Sequence, residues 1–186
     1  MKVILVGDSQ VGKSCFRKRL MGESFDQNYI PTLGVEVVPI QTPDVTFNIW
    51  DCSGNPCFRG LGDGYYLGSQ LAIIMCDPNT SLEKLEKWRQ DVRRVIDIPY
   101  IVVMNKCETI NYDTCKIVEN PQNPSIVQSA QSRALEKVKA LNLHKDLYNT
   151  MFKEVFLNEL DFIDCFTSCK ENVGIENFIA KLLEHL

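Results

Sequence analysis

Apolar residues in this chain follow three rhythms. The unbroken runs Val3-Ile4-Leu5-Val6, LAIIMC from Leu71 and YIVVM from Tyr100 carry no polar interruptions and suit strands buried on both faces. Strict alternation marks a different kind of strand: Val45, Phe47 and Ile49 alternate with Thr46 and Asn48, and the β-rich segment Val35 to Gln41 precedes them across the turn signal Thr42-Pro43-Asp44. That pair predicts an antiparallel hairpin. Helical spacing appears in KSCFRKRLM from Lys13, again in Leu82, Leu85, Trp88, Val92 and Val95, and finally in GIENFIAKLLEHL, where Ile175, Phe178, Ile179 and Leu182 form the buried stripe. Thr80-Ser81-Leu82-Glu83 reads as a capping box opening the middle helix, and Trp88 as part of the core.

The remaining stretches are less regular. Arg59 to Ser69 is rich in Gly and Tyr and predicts an irregular segment, and Thr109 to Pro124 is polar with two prolines and predicts a surface loop. Two amphipathic helices are then expected. Ile126 to Leu143 places Val127, Ala130, Ala134, Val138 and Leu141 on one side, and Lys145 to Leu160 does so with Leu147, Met151 and Val155. FIDCFT, from Phe162, predicts a short last strand. Strands alternating with crossover helices specify an α/β fold: a mostly parallel, six-stranded sheet with helices on both faces and an extra helical insertion before the last strand. No internal repeat or low-complexity tract interrupts it. A single domain over residues 1–186 is expected, with an enlarged segment at about 109–160.

Composition narrows the class. A length of 186 residues is enough to bury roughly 70 % of the surface of the unfolded chain. With 45 % hydrophobic and 24 % charged residues, the balance is that of an ordinary globule. The net charge of −4 argues against nucleic-acid binding, which needs a surplus of Lys and Arg. Arg17-Lys18-Arg19 is expected on the solvated face of the first helix. The eight cysteines, without a signal peptide, are expected as reduced thiols of an intracellular protein, and Cys52/Cys57 and Cys165/Cys169 have neither His144 nor His185 beside them in a zinc pattern. No apolar run approaches the ~20 residues of a membrane span, and Cys169 lies too far from Leu186 for prenylation. No membrane anchor is expected.

The chemistry gathers around Gly7 to Ser14, GDSQVGKS, between the first strand and the first helix. It fits GxxxxGK[ST], in which glycines let backbone N–H groups turn toward a phosphate at a helix start. Lys13 would reach the β- and γ-phosphates and Ser14 would coordinate Mg²⁺. A second stretch, DCSG from Asp51, places an acid at a strand end where it can hold Mg²⁺ through water, and Gly54 where its N–H can reach a γ-phosphate. A strand-end Asp also caps turns, but its place after a phosphate loop favours the metal. In open α/β sheets ligands bind beyond the C-terminal strand ends, where the phosphate loop, DCSG, NKCE and SCK all fall.

Taken in order, GDSQVGKS, PTLGVE, WDCSG, NKCE and SCK resemble the five guanine-nucleotide motifs of the Ras-like small GTPases, over nearly the whole chain. Within that superfamily YIPTLGVEV, FNIWD, GLGDGYY and AIIM are most similar to the Ran family. The resemblance implies a P-loop small G-protein domain binding GTP or GDP with Mg²⁺. It implies a nucleotide site of Asp8, Ser9, Gln10, Val11, Gly12, Lys13, Ser14, Cys15, Phe25, Tyr29, Thr32, Gly54, Asn105, Lys106, Glu108, Ser168, Cys169 and Lys170. Ser14, Thr32 and Asp51 would serve the metal, and Asn55, Lys13 and Gly54 catalysis. Phe25 would pack against the base, Asn105 and Glu108 would read it, the Lys106 stem would lie along its plane and the Cys169 N–H would face the guanine oxygen. A carboxylate accepts from the ring N–H and exocyclic amine of guanine, which adenine does not offer together. Partners implied are protein effectors and regulators, with nuclear-transport factors among them; a monomer in the cytoplasm or nucleus is expected.

The chain departs from the family at three positions. Glu108 stands for the usual Asp and is one methylene longer, and Gln10 places a bulky amide near the phosphates. Asn55 stands where the family has the Gln that orients the attacking water, on a shorter arm. No acidic extension of the Ran kind follows the last helix, so partners that recognise one are not expected. Two functions stay open: a switch that hydrolyses GTP slowly, and a hydrolysis-deficient Ran-like module that sequesters or competes for transport partners. A P-loop kinase would have a substrate lid and no base-reading pair.

Overall fold

The computed structural model describes residues 1–43, 45–109 and 163–184. Six strands, β1 (Lys2–Gly7), β2 (Val35–Gln41), β3 (Thr46–Cys52), β4 (Leu71–Cys76), β5 (Tyr100–Met104) and β6 (Cys165–Phe166), form one sheet in the order β2-β3-β1-β4-β5-β6. Only β2 and β3 are antiparallel; the other pairs are parallel. The hairpin is closed by Thr42, whose N–H and hydroxyl both donate to the Val45 carbonyl.

The unbroken apolar runs behave as their composition dictates. Residues of one strand point alternately to opposite faces, so Val3, Leu5, Ile73, Met75, Ile101 and Val103 enter one core, and Ile4, Val6, Ala72, Ile74, Val102 and Met104 the other. Helices α1 (Lys13–Leu20) and α4 (Ile175–Leu183) cover the first core through Phe16, Leu20, Phe178 and Leu182, with Phe16 and Phe178 edge to face at 4.8 Å. Helices α2 (Arg59–Tyr66) and α3 (Leu82–Val95) cover the second through Tyr66, Leu85, Trp88 and Val92. The expected α/β fold, with a mostly parallel sheet and helices on both faces, is the observed one.

Four details differ from expectation. Arg59–Tyr66 is helical despite its glycines, each costing about 1 kcal/mol in a helix interior; Tyr66 is buried in the second core, and Asp63 pairs with Arg94 of α3 at 2.9 Å. Helix α3 has no capping box: Ser81 is its N-cap and accepts from the Lys84 N–H, while the Thr80 hydroxyl donates to Asp77. The last strand is two residues long. Arg17-Lys18-Arg19 is not a solvated face. Arg17 is buried, pairing with Glu36 and Asp51, and Arg19 donates to the carbonyls of Cys169 and Lys170. The helical pair expected between Ile126 and Leu160, and nearly all of the enlarged segment at 109–160, lie outside the described residues.

Candidate functional site

Gly7 ends β1, and the chain reaches α1 through a loop whose Gln10 and Gly12 have φ of 68° and 97°. The left-handed conformation at Gly12 suits glycine, and the site has no room for more: a Cβ there would stand 2.3 Å from Asn105 Nδ2. Inside this turn the buried Lys13 folds back, its Nζ donating to the carbonyls of Gly7 at 2.9 Å and Asp8 at 2.8 Å. Burial pushes its pKa down to about 8, against the opposing charges of Asp51 and Asp8. An ammonium held with so little solvent gains from an anion placed beside it.

The loop opens on a cavity of about 740 Å³. Ser9, Gln10, Gly12, Lys13, Ser14 and Cys15 line its phosphate-loop side; Phe25, Tyr29 and Thr32 come from the segment before β2, and Gly54 and Asn55 from the end of β3. Asn105, Lys106, Glu108, Cys169 and Lys170 complete the far side. The structure therefore brings together most of the residues singled out from the sequence. Asp8, Val11, Ser168 and Asp51 lie outside the lining. Ser168 is buried, its hydroxyl accepting from the Glu171 N–H and its backbone bridging Val173.

At one end, the hydroxyls of Ser14 and Thr32 meet at 2.9 Å. Asp51 lies beside Ser14, fully buried, and neither carboxylate oxygen has a hydrogen-bond partner among the described residues. Burial raises its pKa, against the Ser14 hydroxyl and the charges of Lys13 and Arg17, while Glu36 adds to the rise. Two hydroxyls and an unsatisfied carboxylate are the hard oxygen donors that suit Mg²⁺, which takes few protein ligands and completes its shell with phosphate and water. The donor set fits such an ion. Among the described residues no three of His, Cys, Asp and Glu gather into an independent metal site.

Gly54 packs directly on the phosphate loop: a Cβ would lie 2.5 Å from Asp8 C and Ser9 N and 2.6 Å from Gly7 O. Next to it, Asn55 does not extend freely toward the cavity. Its Oδ1 accepts from the Cys57 N–H at 3.0 Å, capping the short 3-10 turn Pro56–Phe58 that leads into α2. A side-chain oxygen two residues before a backbone N–H forms this turn readily, and one more methylene would spoil the ring.

The other end is tied together by Asn105. Its Nδ2 donates to the Val11 carbonyl at 3.0 Å, and its Oδ1 accepts from the Cys169 N–H at 3.1 Å and the Thr167 hydroxyl at 3.3 Å. The Cys169 N–H expected to face the base is buried and is paired by Asn105. Lys106, with φ 61°, lines the cavity and anchors its ammonium on Asp77 at 3.0 Å. Glu108 lines the site, and its Oε2 is buried with no hydrogen-bond partner among the described residues.

Several residues that position the site escaped the sequence reading. Trp88 is buried as expected, but its indole N–H donates to Asp8 Oδ1 at 2.8 Å, and Lys84 pairs with Asp8 Oδ2 at 3.2 Å, so α3 holds the first turn of the phosphate loop. Asp77 directly follows β4 just as Asp51 nears the end of β3; that likeness is the one signal that could have found it. Arg17 and Arg19 carried none, because neither helical spacing nor composition shows which carboxylates and carbonyls the sheet brings to them.

Residues 2–108 match the family described as the Ras of Complex, Roc, domain of DAPkinase. The match spans β1 through β5 and every phosphate-facing element described above, more than half of the chain. It supports a GTP-binding switch and GTP hydrolysis in general terms. The chain belongs to the Roc family of Ras-like GTPase domains.

Proposed function

We propose that this chain is a single G domain that holds GTP or GDP with Mg²⁺ in the 740 Å³ cavity and hydrolyses GTP slowly. The observation that carries this reading is the gathering of Gly12, Lys13 and Ser14 with Asn105, Lys106 and Glu108 around one cavity, with the buried Asp51 carboxylate, which makes no hydrogen bond among the described residues, beside Ser14. Each buried acceptor without a partner costs about 1–3 kcal/mol or more. One ligand serves both ends: guanine donates its ring N–H and exocyclic amine to Glu108, and the Mg²⁺ that accompanies the phosphates binds at Asp51, from which Arg17 Nε stands off at 3.5 Å. When bound, Mg²⁺ supplies charge neutralisation at the β- and γ-phosphates, and Ser14, Thr32 and Asp51 would hold it.

The chain's own groups do the rest. Ser9, Gln10, Gly12 and Cys15 surround the phosphates and Lys13 supplies the fixed positive charge, while Val11 contributes through its backbone. Phe25 and Tyr29 flank the nucleoside and Lys106 supports the base plane. Asn105, Ser168 and Cys169 shape the base pocket from behind, with Lys170 at its rim, and Asp8 holds the loop to α3. Thr32 and Gly54 sense the γ-phosphate, so its loss releases the segments on either side of β2 and β3. Phosphoryl transfer of this kind depends on positioning and electrostatics, and the oxygen with which Asn55 would orient water is bound to Cys57. Slow hydrolysis follows. That same contact favours the second reading, a module that binds nucleotide and partners with almost no turnover. The likeness to Ran adds nuclear-transport factors as candidate partners and the cytoplasm or nucleus as the location.

The test is the nucleotide released from the purified protein, followed by affinities for GDP, GTP, ADP and ATP with Mg²⁺ and with a chelator. Guanine preference strengthened by Mg²⁺ is expected. Equal affinity for ATP, or indifference to Mg²⁺, would refute the proposal.

A further inference from the structure

Glu36 and Asp51 are direct cross-strand partners in the β2–β3 pair. Like charges at facing positions of a sheet are destabilising, and here one of the two is fully buried while the other, on an edge strand, has its side chain 54 % exposed. Arg17 sits between them. Its side chain is 6 % exposed, its terminal nitrogen donates to Glu36 Oε2 at 2.9 Å, and its Nε lies 3.5 Å from Asp51 Oδ2 without a hydrogen bond. The guanidinium is thus drawn toward the surface carboxylate and stops short of bonding the buried one. It shares charge with Asp51 without hydrogen-bonding either of its oxygens.

We propose that Arg17 is a positioning residue shared between Glu36 and Asp51, and that Glu36, at the surface of the edge strand, sets how freely Asp51 serves the metal. Losing the Glu36 charge turns Arg17 fully onto Asp51, where its fixed donors fill the lone pairs a cation and its water need. Any cationic group that docks on Glu36 would act in the same direction, which makes the exposed end of the triad a control point for the buried end. The inference rests on the proposed Mg²⁺ role of Asp51.

The full chain loaded with a fluorescent GDP analogue provides the assay, with nucleotide release followed across Mg²⁺ concentrations. Glu36→Gln is expected to raise the half-saturating Mg²⁺ by about threefold to tenfold, since a unit charge at this range is strongly felt in a buried site. In an Arg17→Met background the same substitution should have no effect on Mg²⁺. Thermal melting in chelator gives a readout free of metal. Arg17→Met should lower the melting temperature by exposing the Glu36–Asp51 repulsion, and adding Glu36→Gln should raise it again, whereas Glu36→Gln alone should not stabilise. Should Arg17→Met not fold, Arg17→Lys takes its place, and the Mg²⁺ shift from Glu36→Gln should shrink. An unchanged Mg²⁺ requirement in Glu36→Gln, or no reversal in the melting cycle, overturns the inference. A wild-type chain whose nucleotide release ignores Mg²⁺ would instead overturn the metal role, and the melting cycle would still decide the triad.

Discussion

Replacing Gly54 by Ala tests how closely the end of β3 rests on the phosphate loop. The new Cβ would stand 2.5 Å from Asp8 C and Ser9 N and 2.6 Å from Gly7 O, against the ~3.5–4.0 Å of relaxed carbon contacts. All three obstacles are backbone, so no side chain can swing away, and the loop or the strand end must move by about 1 Å. Gly54 is not among the positive-φ glycines, so its backbone suits alanine and only space is lacking. Overpacking of this kind costs about 1–3 kcal/mol, offset by roughly 0.4–1 kcal/mol from the stiffer unfolded chain. A net loss near 1–2 kcal/mol is expected, or a fall of about 2–8 °C in melting temperature. Because the displaced atoms form the phosphate cradle, nucleotide should leave at least tenfold faster, as displacements near 1 Å can cost ~100-fold in a positioned site. Gly64→Ala is the control: the substitution is the same, within α2, with nothing inside 4 Å of the new Cβ, and it should leave release unchanged. Melting and release equal to wild type in Gly54→Ala would refute the close contact.

Other outcomes follow from single contacts. Asn55→Gln should lose the cap on Cys57, costing about 1 kcal/mol by thermal melting, and release an amide toward the cavity, so single-turnover GTP hydrolysis should accelerate; an equal or slower rate would sink this assignment. Asn105→Ala should destabilise the protein by about 2–3 kcal/mol, because it leaves the Val11 carbonyl and the Cys169 N–H unpaired, and urea unfolding together with GDP release should both register it. Lys13, with its pKa near 8, is neutral in much of the free protein above that pH and must take up a proton to face a phosphate. GDP affinity should therefore hold below about pH 8 and fall by up to tenfold per unit above it, with proton uptake visible in calorimetry across buffers of different ionisation heat. Trp88→Phe keeps the ring in the core but removes the donor to Asp8; nucleotide release should quicken a few-fold with under about 1.5 kcal/mol lost in stability.

The sequence alone determined the strands, three of the described helices and their order. Unbroken apolar runs this short and bounded by turn residues suit strands covered on both faces, helical stripes lie against them, and a glycine-bearing turn ending in Lys13-Ser14 between strand and helix leaves little choice of place or chemistry. Those features are local, written within one element and its neighbours. Tertiary structure decided what each polar group meets. Asn105 bonds to residues 94 and 64 positions away, and Trp88 to one 80 positions away, distances over which hydrophobic spacing carries no information about partners. The run Arg17-Lys18-Arg19 looks solvated because basic residues at helical spacing usually are, and only the pairing of β2 with β3 reveals two facing carboxylates that need a cation between them. Arg59–Tyr66 becomes a helix because Tyr66 and Asp63 find α3 and its core, not because its glycines favour one. Asn55 shares the chemical group of the family's Gln, and the shorter arm alone could not show where that group would turn; a backbone N–H two residues ahead, presented by the 3-10 turn, captured it.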